Sequence, residues 1–116
     1  MRIRWGAAAI LAAGLAGAAS GAHSATNDYS KDLERQSPAQ RAARLAAVVG
    51  YWCVGTDTFL MGVPQSGPEA GFAYWSVACL DGSSYAIQID PLGRPVTIDC
   101  AVLAAAGQGK ECFKKF

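Results

Sequence analysis

The sequence predicts a small, disulfide-stabilised α+β fold in which one N-terminal helix packs on an antiparallel sheet of three to four strands and a short C-terminal helix follows. Three observations carry this expectation. Residues 72–100, FAYWSVACLDGSSYAIQIDPLGRPVTIDC, read as three consecutive short strands joined by two glycine-bearing turns. Upstream, Ser37-Pro38-Ala39-Gln40 opens a helix that Gly50 is placed to close. Four cysteines, Cys53, Cys79, Cys100 and Cys112, stand in a chain whose first residues have the pattern of an export signal.

That pattern occupies residues 1–24. Arg2 and Arg4 form a charged start, and the run from Trp5 to Ala19 contains only Ala, Gly, Leu, Ile and Trp. Two small-residue cleavage patterns follow, Ser20-Gly21-Ala22 and Ala22-His23-Ser24. A retained anchor would need roughly twenty strongly apolar residues. This run is short and diluted by Gly and Ala, which predicts removal and no stable membrane insertion afterwards. Loss of Arg2 and Arg4 takes ten basic residues to eight against nine acidic ones, a mature charge of −1. Nucleic acid is therefore not an expected partner, because it demands a basic face. A cut after Ser24 also removes His23, the only histidine, and with it histidine general-base catalysis and histidine metal ligation.

Residues 25–36 (ATNDYSKDLERQ) are polar and read as a tether with at most a frayed helical turn; residues 37–116 then form a single domain. Ser37 supplies a capping hydroxyl, Pro38 suits the first helical position, and Gln40 completes a capping box. The helix runs from Pro38 to about Val49. Leu45, Val48, Val49 and Trp52 recur at helical spacing, whereas Arg41 and Arg44 occupy another face and read as solvated. Residues 51–63 predict a further strand whose register Gly55 and Gly62 leave open. Pro64 to Ala70 is a loop by composition. Ala101 to Ala106 predicts a short helix ended by Gly107.

Within the sheet, Ala73, Trp75, Val77 and Cys79 share one face of the first strand, and Tyr85, Ile87 and Ile89 share one face of the second. A two-residue turn at Asp81-Gly82 would set these rows on opposite sides. A three-residue loop, Leu80-Asp81-Gly82 with Gly82 left-handed, pairs Val77 with Tyr85 and Trp75 with Ile87, and is preferred because it gathers the apolar rows. The turn Pro91-Leu92-Gly93-Arg94 is expected to pair Ile89 with Val96, Ile87 with Ile98 and Tyr85 with Cys100. The other face carries Phe72, Tyr74 and Leu80 beside Ala86, Gln88 and Thr97. Either a loop or the chain end covers these side chains, or Phe72, Tyr74, Leu80 and Gln88 form an exposed interaction patch.

An even set of cysteines behind an export signal predicts two disulfides. A zinc site would present close Cys pairs, and the gaps here are 26, 21 and 12 residues. In the expected register Cys79 and Cys100 lie on strands separated by a third, roughly 10 Å apart, beyond disulfide reach. Of the three possible connectivities, Cys53–Cys79 with Cys100–Cys112 is expected if the strand in residues 51–63 pairs beside that in residues 72–80, each bond contributing roughly 2–4 kcal/mol.

One helix ending in Gly, followed by YWSVACLDGSSYAIQIDPLGRPV, resembles a PepSY-type module over about residues 38–98. That family's pattern is a helix, a strand, D-G, a strand ending in D-x-x-G and a final short strand. Asp81-Gly82 and Asp90-Pro91-Leu92-Gly93 stand where those elements fall. The four cysteines and the proline-containing loop depart from the pattern. The resemblance implies a helix packed on an antiparallel sheet and a role in binding or restraining other envelope proteins, sometimes peptidases. It carries over no catalytic residues.

The functional expectation is a periplasmic or secreted, non-catalytic interaction module with an envelope-protein partner and with no cofactor or metal. A small-ligand domain using Trp52, Trp75 or Tyr74 is the alternative. A small hydrolase-type enzyme would have to draw paired carboxylates from Asp57, Asp81, Asp90 and Asp99. Asp81 and Asp90 are better read as turn formers and Asp99 as a helix cap.

Overall fold

Strands β1 (Gly55–Gly62), β2 (Ala73–Cys79), β3 (Ser84–Ile89) and β4 (Pro95–Asp99) form one antiparallel sheet in the order β1-β2-β3-β4. The computed structural model describes residues 25–116. The expected signal segment, both cleavage patterns and His23 lie outside the described residues.

β2 pairs with β3 as the three-residue loop requires, Val77 opposite Tyr85 and Trp75 opposite Ile87. Gly82 donates its N–H to Cys79 O with φ +94°, and the Asp81 carboxylate accepts the Ser83 N–H at 3.0 Å. The second turn corrects the sequence expectation. It closes as the same three-residue loop, with Gly93 at φ +86° donating to Asp90 O and Asp90 N–H donating to Arg94 O. Arg94 therefore opposes Asp90, and the pairs are Ile89 with Pro95, Ile87 with Thr97, and Tyr85 with Asp99. The Asp90 side chain decides the matter by accepting both the Leu92 and Arg94 N–H groups at 2.9 Å. The one-residue slip turns Val96 and Ile98 away from the Trp75 face and puts Thr97 on it.

The sheet is covered on both sides. On the first face α2 (Pro38–Val49) lays Leu45 and Ala46 against Trp75, Val77, Ile87 and Ile89, all buried. Its N-terminus is the expected capping box: Ser37 Oγ accepts the Gln40 N–H, and the Gln40 side chain accepts the Ser37 N–H. The helix lies so close to β1 that a Cβ at Gly55 would strike the Ala42 carbonyl oxygen. Gly55 and Gly62, which left the register of this strand open, mark its two register shifts against β2. On the second face α3 (Cys100–Ala105) and the tail to Phe116 cover Met61, Tyr74 and Ala86.

Residues 25–36 are not a tether. Asp28–Arg35 is a helix, α1, whose end is built into the fold. Asn27 Oδ1 caps it by accepting the Ser30 N–H at 2.9 Å, while Asn27 Nδ2 donates to Gly71 O, Ile89 O and Asp90 O at 2.9–3.2 Å. Ser30 Oγ accepts the indole N–H of Trp75 at 2.9 Å, and Leu33 joins the core. Arg41, expected to be solvated, instead donates to carbonyls at the end of α1 and its C-cap, those of Leu33, Glu34 and Gln36. Its guanidinium carbon also sits 5.5 Å from the centre of the Trp75 ring. Eight residues with little apolar character become structural because their polar groups find partners inside.

Both expected disulfides are present. Cys53–Cys79 (Cα–Cα 5.2 Å) ties the entrance of β1 to the end of β2, and Cys100–Cys112 (5.8 Å) folds the tail back. The chain is thus a small disulfide-stabilised α+β protein, and its described residues hold one helix beyond the two expected. A tether would tolerate Asn27→Ala at no cost. We expect that substitution to lower stability by roughly 2–4 kcal/mol, through loss of the cap and of buried carbonyl partners. Urea unfolding of both proteins is the check, and a difference within error would return α1 to the status of an appendage.

Candidate functional site

The four residues expected to form an interaction patch do not share one surface. Tyr74 is 3% exposed beneath the tail, and Phe72 and Gln88 are half-buried near it. Leu80 lies apart from them, exposed in the β2–β3 turn. The pleat separates them: Tyr74 and Gln88 are cross-strand partners in the middle of the second face, whereas Leu80 has left the strand.

Tyr74 and Gln88 instead belong to a polar cluster that spacing alone does not reveal. The Tyr74 hydroxyl donates to Glu69 Oε1 at 2.5 Å and accepts from Gln88 Nε2 at 2.6 Å. Lys110 reaches the same Glu69 oxygen at 3.3 Å, and its ammonium lies 5.3 Å from the Tyr74 ring centre and 5.5 Å from that of Phe116. Glu69 comes from the proline-containing loop and Lys110 from the tail, so neither is close to Tyr74 and Gln88 in strand pairing. A cleft of about 230 Å³ opens beside the cluster, walled by Ile98, Val102, Leu103 and Ala106. The corrected β4 register is what turns Ile98 into that wall.

Burial, and next the hydrogen bond to the Glu69 carboxylate, push the Tyr74 hydroxyl up to about 12. The Tyr74 hydrogen bond holds Glu69 below the usual carboxylate range, with Lys110 adding to the effect against partial desolvation. The two directions describe one contact, a neutral phenol donating to an ionised acid.

A second surface surrounds Cys53–Cys79. Tyr51 is 98% exposed, Val54 58% and Leu80 71%. The Leu80 N–H bonds Val54 O at 2.8 Å, so the latter two side chains are neighbours. Trp52, 46% exposed, meets Tyr85 edge-to-face at 5.8 Å. A groove of about 360 Å³, lined by Ala43, Ala47, Gly50, Tyr51 and Val54 among other uncharged residues, runs alongside. Trp75 takes no part, being 2% exposed in the core.

The candidate carboxylates are engaged locally. Asp81 and Asp90 close their turns, which holds both below the usual carboxylate range, Asp81 chiefly through the Ser83 hydroxyl and Asp90 chiefly through the Arg94 N–H. Asp90 Oδ2 also pairs with Arg94 Nε at 2.6 Å. Asp99 caps α3 by accepting the Ala101 N–H, and Asp57 accepts the Thr58 N–H. Among the described residues no three His, Cys, Asp or Glu side chains converge as a metal site would require, and no cysteine is free.

Fold and site together define a class, the small disulfide-pinned α+β protein with one apolar end and one tail-covered polar cluster. No family model, no curated protein and no solved structure matches this chain.

The Glu69–Tyr74 contact makes stability depend on pH at both ends. The lowered Glu69 value gives a contribution complete above the ordinary carboxylate range and lost as pH falls through the lowered value. The raised Tyr74 value gives one complete below the ordinary 10.0 and lost as pH rises toward about 12. Glu69→Gln should make the acid limb of the stability profile shallower, leaving the part that Asp81 and Asp90 contribute. Tyr74→Phe should flatten the alkaline limb and cost about 1 kcal/mol near neutrality. Urea unfolding across pH reads both; limbs unchanged by either variant would dissolve the assignment.

Proposed function

We propose that this chain is an exported, non-catalytic interaction module of a bacterial-type cell envelope that binds or restrains another envelope protein. The observation that carries the reading is the apolar end around Cys53–Cys79, where Tyr51, Trp52, Val54 and Leu80 stand exposed together. Aromatic side chains that remain outside a core so near are a surface suited to a protein partner. Two disulfides support an oxidising compartment. The charged-then-apolar pattern of residues 1–24 supports export, and among the described residues no helix is long and apolar enough to cross a membrane. Local engagement of Asp57, Asp81, Asp90 and Asp99 supports a module without paired catalytic carboxylates. The resemblance of residues 38–98 to PepSY-type modules belongs to the same reading.

The cleft beside Tyr74 favours a second reading, a small-ligand domain in which Gln88, Lys110 and Glu69 orient a ligand against Ile98 and Val102. The two readings use different residues, so variants separate them. Crosslinking in intact cells followed by mass spectrometry should trap a partner with the native chain. A Tyr51→Ser, Trp52→Ser variant of unchanged circular dichroism should trap at least about tenfold less. Equal capture by the variant would remove the apolar end from the mechanism. Capture lost with Lys110→Ala alone would favour the cleft.

A further inference from the structure

The two disulfides differ in what surrounds them. Cys53 and Cys79 are 7% and 4% exposed and lie in the main core beside Trp75 and Leu45. Cys100 and Cys112 are half-buried at the margin of the second face. Between and beyond the latter pair runs a strap, residues 107–116, with no helix or strand of its own. It begins at Gly107 and Gly109, where a Cβ would meet no heavy atom within 4 Å, so nothing packs on its start.

What the strap does is cover. Phe113 N–H donates to Ser76 Oγ at 2.9 Å, and its ring lies 6.3 Å from that of Phe59. Phe116 N–H donates to Met61 O at 3.2 Å, and its ring meets Tyr74 edge-on at 5.2 Å. Lys110 adds the contact to Glu69. Met61 and Ser76 have no exposure and Tyr74 has 3%, so this side of the sheet includes an apolar, aromatic strip. The strap is held there at a backbone cost. Phe113 has φ +61°, the left-handed region that a bulky side chain disfavours, and among the described residues no other non-glycine adopts positive φ. A strained turn directly after Cys112 persists because the disulfide on one side and Phe116 on the other fix it.

We propose that Cys100–Cys112 is a redox latch: a dithiol reductant opens it while Cys53–Cys79 stays closed, and the strap then leaves the Tyr74 face. One thiolate of the dithiol attacks a sulfur of the Cys100–Cys112 bond, forming a mixed disulfide and releasing the other cysteine as thiolate. The second thiolate of the dithiol breaks the mixed disulfide and closes its own ring. Two electrons pass to the protein, the dithiol becomes a disulfide, and its two protons end on the Cys100 and Cys112 thiols. Selectivity comes from access, since the attacking thiolate must approach along the S–S axis, and Cys53–Cys79, although Cys53 borders the groove beside Tyr51, is less exposed than Cys100–Cys112. The inference does not depend on the identity of any partner; it concerns which face of the sheet the molecule displays.

The test is a graded dithiothreitol titration of the oxidised protein, quenched with iodoacetamide and mapped by peptide mass. Cys100 and Cys112 should become alkylated at about tenfold lower dithiothreitol than Cys53 and Cys79. Over the same range, tryptic cleavage after Lys110 and Lys114 and binding of a hydrophobic dye should both rise, while circular dichroism keeps its oxidised form. A Cys100→Ser, Cys112→Ser variant should show both signals without reductant. Simultaneous or reversed opening of the two bonds overturns the latch. So does selective opening that leaves cleavage and dye binding at their oxidised levels. Should the variant fail to fold, the titration of the native chain still decides between these outcomes.

Discussion

Burial of β2 on both faces is the constraint from which the rest of the molecule follows. Trp75 and Val77 point into the helical layer, and Tyr74 and Ser76 into the layer made by the tail, all at 3% exposure or less. A strand so enclosed must find partners for every polar group it carries. Its backbone is served by β1 and β3. Its three polar side-chain groups are served from outside the sheet: Ser30 takes the Trp75 indole N–H, Phe113 N–H donates to Ser76, and Glu69 in the preceding loop takes the Tyr74 hydroxyl. Those three bonds tie α1, the tail and the proline-containing loop to one strand. Removing water from both sides of β2 is thus what gives these polar segments their places.

The two covering layers are unequal in kind. The α1–α2 layer is held by apolar contact, a capping box, and Arg41 gathering the carbonyls at the end of α1. Among the described residues the opposite layer has the six-residue α3 and the strap, which Cys100–Cys112 joins. A 12-residue separation closes a short loop, enough to hold a strap with almost no core of its own. The polar cluster sits beneath this weaker layer, and the exposed aromatic end sits beside the stronger one. The surface proposed to meet a partner and the proposed latch therefore lie against different covering layers of the sheet.

Legibility in the sequence followed the range of the forces. Ser37-Pro38-Ala39-Gln40 and Gly50 bound α2 through contacts within one turn, and the residues at those positions allow little else. Leu80-Asp81-Gly82 fixed the first hairpin because only a three-residue loop keeps Trp75 opposite Ile87. Strand spacing excluded Cys79–Cys100, and the placement of β1 beside β2 then selected the observed disulfides. The β4 register did not follow, although Asp90-Pro91-Leu92-Gly93 carries the same kind of signal as the first turn. Weighing Val96 and Ile98 as core residues obscured that the Asp90 side chain prefers the shorter loop. Helix α1 was hidden because it is polar on average and only Leu33 among its buried residues is apolar. Asn27 ahead of Asp28 was the available sign of its start.

The sequence by itself determined the alternation of the strands, the ends of the main helix, the preferred pairing of the cysteines, the turn duties of Asp81 and Asp90, and the capping duty of Asp99. Each of these depends on groups a few residues apart or on strand spacings that do not vary. Only the tertiary structure decided that Asn27 and Ser30 serve the core, that Arg41 joins two helices, and that Glu69 and Lys110 meet at Tyr74. It alone divided Tyr74 from Leu80. Polar side chains carry no hydrophobic period, so their partners become visible only once the strand they serve has been shut away from water.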